Sequence, residues 1–285
     1  MSSDWSPSQR QLERDAYRRR QSLRSLLIAA VSTLVVGGAL ITAVVSAPGW
    51  DRTRTTFFSW DKAVDAFPDV LAGFWINLKV FLVTAVCVLV LGLVLALLRT
   101  LAGPVFWPVR ALATIYVDVF RGLPLILLLL LVGFGVPALN LTGVPTDPVV
   151  LGGVALVLSY AAYVTEVFRA GIESIHPSQR AAARSLGLSG PQTMRFVVLP
   201  QAVRRVVPPL LNDLVSLSKD SSLISVLGAA IDAVRAAQIK TAESFNFTPY
   251  VVAGLLFVLL AVPSARLADA FAARARRRQQ SGSIL

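Results

Sequence analysis

The sequence predicts an all-α integral membrane protein, on three observations. Hydrophobic residues make up 55% of the 285-residue chain and charged residues only 15%, where a soluble domain carries about 25% charged residues. The mean hydropathy is +0.68. The apolar residues also gather in charge-free runs at 25–50, 80–98, 122–146, 148–165 and 244–265. Each is about 18–26 residues long, enough to cross ~30 Å of hydrocarbon as helix.

The first run is too long for a signal peptide, and no small-residue cleavage site precedes a polar mature domain. A sixth span is expected over 203–231 although Asp213, Lys219 and Asp220 interrupt it, because the distribution of basic residues requires it. With six spans and both termini cytoplasmic, the inside segments hold Arg10–Arg24, Arg99, Arg110, Arg169–Arg205 and Arg266–Arg278. The outside segments hold only Arg52, Arg54, Lys62, Arg235 and Lys240. Omitting the charged span would put the C-terminal arginines outside. The net charge of +11 is thus accounted for by topology, and no nucleic-acid partner is expected. The expected location is the cytoplasmic membrane. Cys87 is the single cysteine and allows no intramolecular disulfide.

The organisation read from these runs begins with a basic cytoplasmic tail over 1–24, a first span over 25–47 and an extracytoplasmic loop over 48–69. A membrane core over 70–271 follows, then a second basic tail over 272–285, whose last residues, 279–285, are expected to be disordered. Both tails fit contact with anionic membrane lipid, worth about 1 kcal/mol per basic residue near the surface.

Within the core, the cytoplasmic stretch SQRAAARSLGLSG (178–190) reads as a short water-facing helix. Pro177 suits a first helical position, and Ser178 and Gln179 can satisfy free amides. Ala181, Ala182 and Ala183 favour helix and let a partner approach the backbone. Gly187 suits a left-handed cap, and Pro191 is expected to prevent immediate resumption. Ala182 and Leu186 share one face, and Arg180 and Arg184 another. These features admit either an amphipathic helix resting on anionic headgroups or a docking element for a cytoplasmic protein.

The spacing decides between them. AAARSLGLSGPQTMRFVVLP (181–200) resembles the EAA loop of permease subunits of bacterial ABC importers: Glu-Ala-Ala, three residues, Gly, nine, an aliphatic residue, one, Leu-Pro. Ala181 stands where the family usually has Glu. Further stretches, YVDVFRGLPLI (116–126), YAAYVTEVFRAGIESI (160–175), LPQAVRRVVPPLLND (199–213) and KDSSLISV (219–226), are similar to the polar amino acid branch. That branch carries histidine, glutamate, glutamine, arginine or opines, and a glutamate-type substrate is mildly preferred. Ser221 replaces the Thr more common after Lys-Asp, and Asn77 stands where the first core span often has Thr.

The resemblance covers about 70–271. It implies a five-helix type I ABC importer permease core, to which the first span is an addition, with a coupling loop over 170–202. It also implies an ABC ATP-binding subunit in two copies, a second permease that is the same chain or a sister subunit, and an extracytoplasmic solute-binding protein. Ser178, Ala181, Ala182, Ala183, Leu186, Gly187, Leu199 and Pro200 are the residues expected to couple transport to the ATPase. The chain has no phosphate-cradling Gly-x-x-x-x-Gly-Lys-Ser/Thr sequence. No cofactor is expected here; ATP and Mg belong to the partner ATPase, and this subunit is not expected to be an enzyme.

The amino acid path is sought among intramembrane polar groups, which are costly unless they face a polar interior. Asn212, Ser216 and Lys219, with Asp213 and Asp220, fall on one stripe of the sixth-span segment. Lys219 could meet a substrate carboxylate, and Asp220 or Glu166 its ammonium group. A structural role is the competing reading, with Lys219 neutralising Asp213 or another acid. Pro208 and Pro209 are expected to kink this span and free carbonyls. Asp118 and Arg121 are expected to pair locally, Lys79 to snorkel to the outer interface, and His176 to be a solvated loop residue. No metal-ligand spacing is present. The rival function is an ion-coupled secondary amino acid carrier, but no inverted repeat is visible. A membrane-anchored sensor lacks a soluble output domain, and a membrane-embedded enzyme lacks a nucleophile–base pair.

Overall fold

The computed structural model describes residues 8–101 and 103–281; the side chains of Arg19 and of Arg274, Arg276, Arg277 and Arg278 lie outside the description, as do residues 282–285 of the tail expected to be disordered. The chain divides into two units, 1–56 and 57–285. All regular structure among the described residues is helical.

In the first unit, α1 (Gln9–Val45) begins well before the apolar run and carries the basic stretch as helix rather than as an irregular tail. A short helix, α2 (Trp50–Phe57), follows.

The second unit starts with α3 (Trp60–Thr100), which at about 62 Å is twice the hydrocarbon thickness. Its N-terminal half lies before the predicted span of 80–98. α4 (Trp107–Gly122) and α5 (Leu125–Ala138) meet at a bend of 106°. The single span expected over 122–146 is therefore not one straight helix. Pro124 supplies the break: it disfavours helical geometry at Leu123, which is extended at ψ 131°. α6 (Pro148–Glu173) starts where predicted, with the Asp147 side chain accepting from Val149 and Val150 amides.

α6 is the central helix. Ala155, Leu156, Ala161, Ala162 and Thr165 are fully buried, and it packs along α3 through small residues. A Cβ added at Gly92 would lie 2.6 Å from Val164 Cγ1, so a side chain there would force the helices apart. Without a hydrophobic gain between helices in lipid, this close approach is what favours their association.

After the loop that follows α6 comes α9 (Leu199–Asp220), then a 3₁₀ segment (Ser221–Leu227) closed by Gly228 at positive φ. The span expected over 203–231 is thus α-helical only as far as Asp220. Pro208 and Pro209 lie inside the helix without ending it. α10 (Ala233–Ser244) and α11 (Thr248–Ser281) complete the unit, and residues 279–281 continue α11.

By length and apolarity four described helical stretches qualify as spans: Gln9–Val45, Trp50–Thr100, Pro148–Glu173 and Thr248–Ala273. Counted as one broken span, the bent pair over Pro104–Gly122 and Leu125–Ala138 brings the number to five. α9 does not qualify on composition, since it carries Arg204, Arg205, Asp213, Lys219 and Asp220. The protein is all-α and multi-pass; the count of six spans does not follow from length and apolarity.

Candidate functional site

Two regions carry the predicted site residues. The first is the loop joining α6 to α9. α7 (Pro177–Ser185) opens with Pro177, and its cap is His176 rather than Ser178: His176 Nδ1 accepts from the Ser178 amide at 3.2 Å and lies 2.7 Å from Ser178 Oγ. The exposed histidine thus has a structural task beyond the solvated role expected. At the other end Gly187 has φ +85°, and the Gly187 and Leu188 amides donate to the Arg184 and Ala183 carbonyls. This is the left-handed closure that glycine permits.

Pro191 does not hold off the next helix. It sits in the first turn of α8 (Gly190–Thr193), where Ser189 and Gln192 cap each other. A π turn (Met194–Val198) leads into α9, and Leu199-Pro200 forms the first turn of that helix.

Ala183 alone of the α7 alanines is buried; Ser178, Ala181, Ala182 and Gly187 are exposed, and Leu186 is 84% exposed. Leu199 is half-buried and Pro200 exposed. The loop is tied to both flanking spans. Arg180 donates to the Ile172 carbonyl at 2.6 Å, Arg205 to the Ser174 carbonyl at 2.5 Å, and Gln201 Nε2 to Gln179 Oε1 at 2.6 Å. Beneath them Ile172, Ile175, Val198 and Ala202 form a buried apolar cluster. α7 is thereby anchored to both α6 and α9.

The second region is a cavity of about 460 Å³ between α6 and α9, whose wall includes Arg121, Tyr163, Glu166, Arg205, Pro209 and Asp213. The structure brings Glu166 and Asp213 into this cavity and leaves the rest of the stripe elsewhere. Asn212 and Lys219 are exposed, and Ser216 is half-buried. Asp220 accepts a hydrogen bond of 2.6 Å from Tyr160.

Lys219 forms no ion pair among the described residues, so it does not neutralise Asp213. Asp213 Oδ2 is buried without a hydrogen-bond partner, an arrangement costly unless another group supplies donors. Glu166 differs. It is paired with Arg99 across to α3 and with Arg169, at 2.7 Å, which also reaches Glu173 at 2.5 Å. Its charge is already matched within the protein. The expected Asp118–Arg121 pair does not form: Arg121 lies over the Tyr163 ring, 5.6 Å from its centroid, and Asp118 is exposed.

Sequence reasoning missed one polar centre. Asp232 is fully buried at the N-terminus of α10. Asn77 donates to Asp232 Oδ2 and to the Ser221 carbonyl, both at 3.0 Å, and accepts from the Ala233 amide. Asn77 thereby joins α3, the 3₁₀ segment and α10. On the same side of the molecule, hydrogen bonding to Asp69, reinforced by Asp65, holds the Lys240 ammonium above its ordinary pKa.

The described residues thus form a multi-pass helical core with a short exposed helix tied to α6 and α9. Residues 100–277 match the family described as binding-protein-dependent transport system inner membrane component, and the chain belongs to that family. It is 38% identical over 202 residues to the arginine transport system permease protein ArtQ of Bacillus subtilis, covering 70% of this chain and 90% of that one. It is 34% identical to the probable glutamine ABC transporter permease protein GlnM of the same organism, over 70% and 89% of the two chains. Among solved structures, a crystal structure of an amino acid ABC transporter with histidines superposes with a TM-score of 0.68 at 31% identity, over 74% of this chain and 96% of that one.

Proposed function

We propose that this chain is the transmembrane subunit of an ATP-driven importer for a polar amino acid. In this reading α7 and the Leu199-Pro200 turn dock on a separate ABC ATP-binding subunit, present in two copies, which binds ATP and Mg and does the hydrolysis. A second permease, identical or sister, completes the path, and an extracytoplasmic solute-binding protein delivers substrate. Both termini are then cytoplasmic and α9 is the charged sixth span. The relatives are named for arginine and glutamine, so the substrate is proposed as a class, with the glutamate preference resting on sequence resemblance alone.

The observation that carries the proposal is the exposed Ala181–Ala182 and Leu186–Gly187 surface on a helix tied by side-chain hydrogen bonds to both α6 and α9. Small residues let a cleft close on the backbone, and Leu186 offers it an apolar anchor. Asp213 is the acid proposed to meet the ammonium group of the amino acid, because its buried oxygen awaits a donor. Lys219, Asn212, Ser216 and Asp220 are proposed to line the path further along α9.

Co-purification of the solubilised chain, expressed with its neighbouring genes, tests this. An ATPase subunit should co-elute with wild type and be lost or uncoupled with Gly187→Trp. Elution of wild type with no ATPase, under conditions that preserve known importers, would overturn the proposal and return the carrier reading.

A further inference from the structure

We propose that the groove between α3 and α6 holds one acyl chain of an anionic phospholipid, with its phosphate against Lys79. The groove has a volume of about 470 Å³, and its wall includes Val83, Cys87, Val150, Val154 and Val157 with Lys79 at one end. Both helices belong to stretches long and apolar enough to cross a membrane. Thr84, the other polar residue of the wall, already donates its hydroxyl to the Val80 carbonyl at 2.7 Å. Away from Lys79 the wall is therefore almost wholly apolar, and it suits a hydrocarbon chain.

The depth of the groove is fixed by its own residues. Gly153 faces Thr84 and Gly92 faces Val164, so α3 and α6 run in the same direction and Lys79 is level with the start of α6. Lys79 and Trp75, one turn apart, are both exposed, with the ammonium 5.9 Å from the ring centroid. Such a Lys-Trp pair marks the headgroup level. From Lys79 to Cys87 the groove runs roughly 12 Å, within one leaflet of a ~30 Å core.

Charge selects the lipid. Lys79 has no carboxylate partner among the described residues, and the acid just before the α6 wall, Asp147, is turned to the amides of its own helix. Lys79 is then the one cation lining the groove among the described residues, and an anionic phosphate complements it. Gly153 keeps the groove open, since a side chain there would project into its wall.

Native mass spectrometry of the full chain in mild detergent, titrated with phosphatidylglycerol or with phosphatidylcholine of the same chains, tests the site. Wild type should retain phosphatidylglycerol in preference, and Lys79→Gln should remove about five-fold of that preference, the equivalent of ~1 kcal/mol per basic residue. Val154→Trp, which fills the groove, should lower retention of both lipids. A photoreactive chain on phosphatidylglycerol should label 80–87 and 149–158. Equal retention by wild type and Lys79→Gln, or labelling spread evenly over the spans, would overturn the proposal. So would a disulfide between Cys87 and a cysteine placed at Gly38, or between Cys87 of two copies, since either puts protein where the chain should lie.

Discussion

The loop over 177–200 and the polar interior around Asn77 and Glu166 are built on opposite plans. The loop is closed by neighbours: His176 on Ser178, Gly187 on Arg184, Ser189 on Gln192. The interior is closed by residues far apart in the chain, Asn77 with Asp232 and Arg99 with Glu166. A helix end closed by a near neighbour can fray by itself even though Arg180, Gln201 and Arg205 anchor the loop to α6 and α9, whereas a remote closure holds several helices at once.

The difference makes its largest prediction at Asn77. Asn77→Leu removes three hydrogen bonds at one stroke and leaves Asp232, the Ser221 carbonyl and the Ala233 amide buried without them. At about 1–3 kcal/mol for each buried group left unpaired, a loss of about 3 kcal/mol or more is expected. Thermal unfolding in detergent should show one cooperative transition shifted down. A change confined to α10 by hydrogen exchange would break the comparison.

Glu166→Gln should come next, at about 2 kcal/mol, because it leaves Arg99 and Arg169 without their shared carboxylate. Both Arg99 and Glu166 are more than four-fifths buried, so solvent screens the loss only in part. The measurement is again the melting temperature, and Asp213→Asn is the control. Asp213 Oδ2 has no donor to lose among the described residues, so that variant should melt no lower than wild type while reducing amino acid uptake.

How far each region was legible in the sequence follows from the same distinction. Pro177, the alanines and Gly187 announce a helix and its stop within nine residues, and the structure places the cap at Gly187 as expected. Where the reading of the loop fell short, the cause was also local: His176 supplies the capping expected of Ser178 and Gln179, and Pro191 began a helix instead of forbidding one. The polar stripe fared worse. Its 3.6-residue spacing set Asn212, Asp213, Ser216, Lys219 and Asp220 on one helix correctly, but spacing carries no information on what each side chain meets. Tyr160 lies 60 residues from Asp220 and Arg99 67 residues from Glu166, separations at which no pattern in a single sequence points to a partner. The bend at Leu123-Pro124 was legible from proline chemistry and was outweighed by the charge-free run around it.

A smaller effect is expected from Gly187→Ala. The left-handed φ of +85° costs a residue with a Cβ roughly 1 kcal/mol, and no neighbour crowds the position. Hydrogen exchange should quicken over 183–188 alone, with the melting temperature unchanged. A global shift would show that the loop is part of the scaffold after all.

The smallest effect sharpens the comparison most, because it lies inside the remote network. Glu173 pairs with Arg169 four residues away and is 58% exposed, whereas Glu166 on the same arginine is 18% exposed. Both carboxylates meet the same guanidinium at similar distance, so geometry alone would rank them equal. Water ranks them otherwise: an exposed i,i+4 pair contributes only about 0.3–0.5 kcal/mol, and salt screens it. Glu173→Gln should therefore change stability by no more than about 0.5 kcal/mol, and less at high ionic strength. The Glu166→Gln loss should persist in high salt. Equal losses from the two variants would mean that Arg169 and its local partners, not the reach across to α3, hold this end of the helices together.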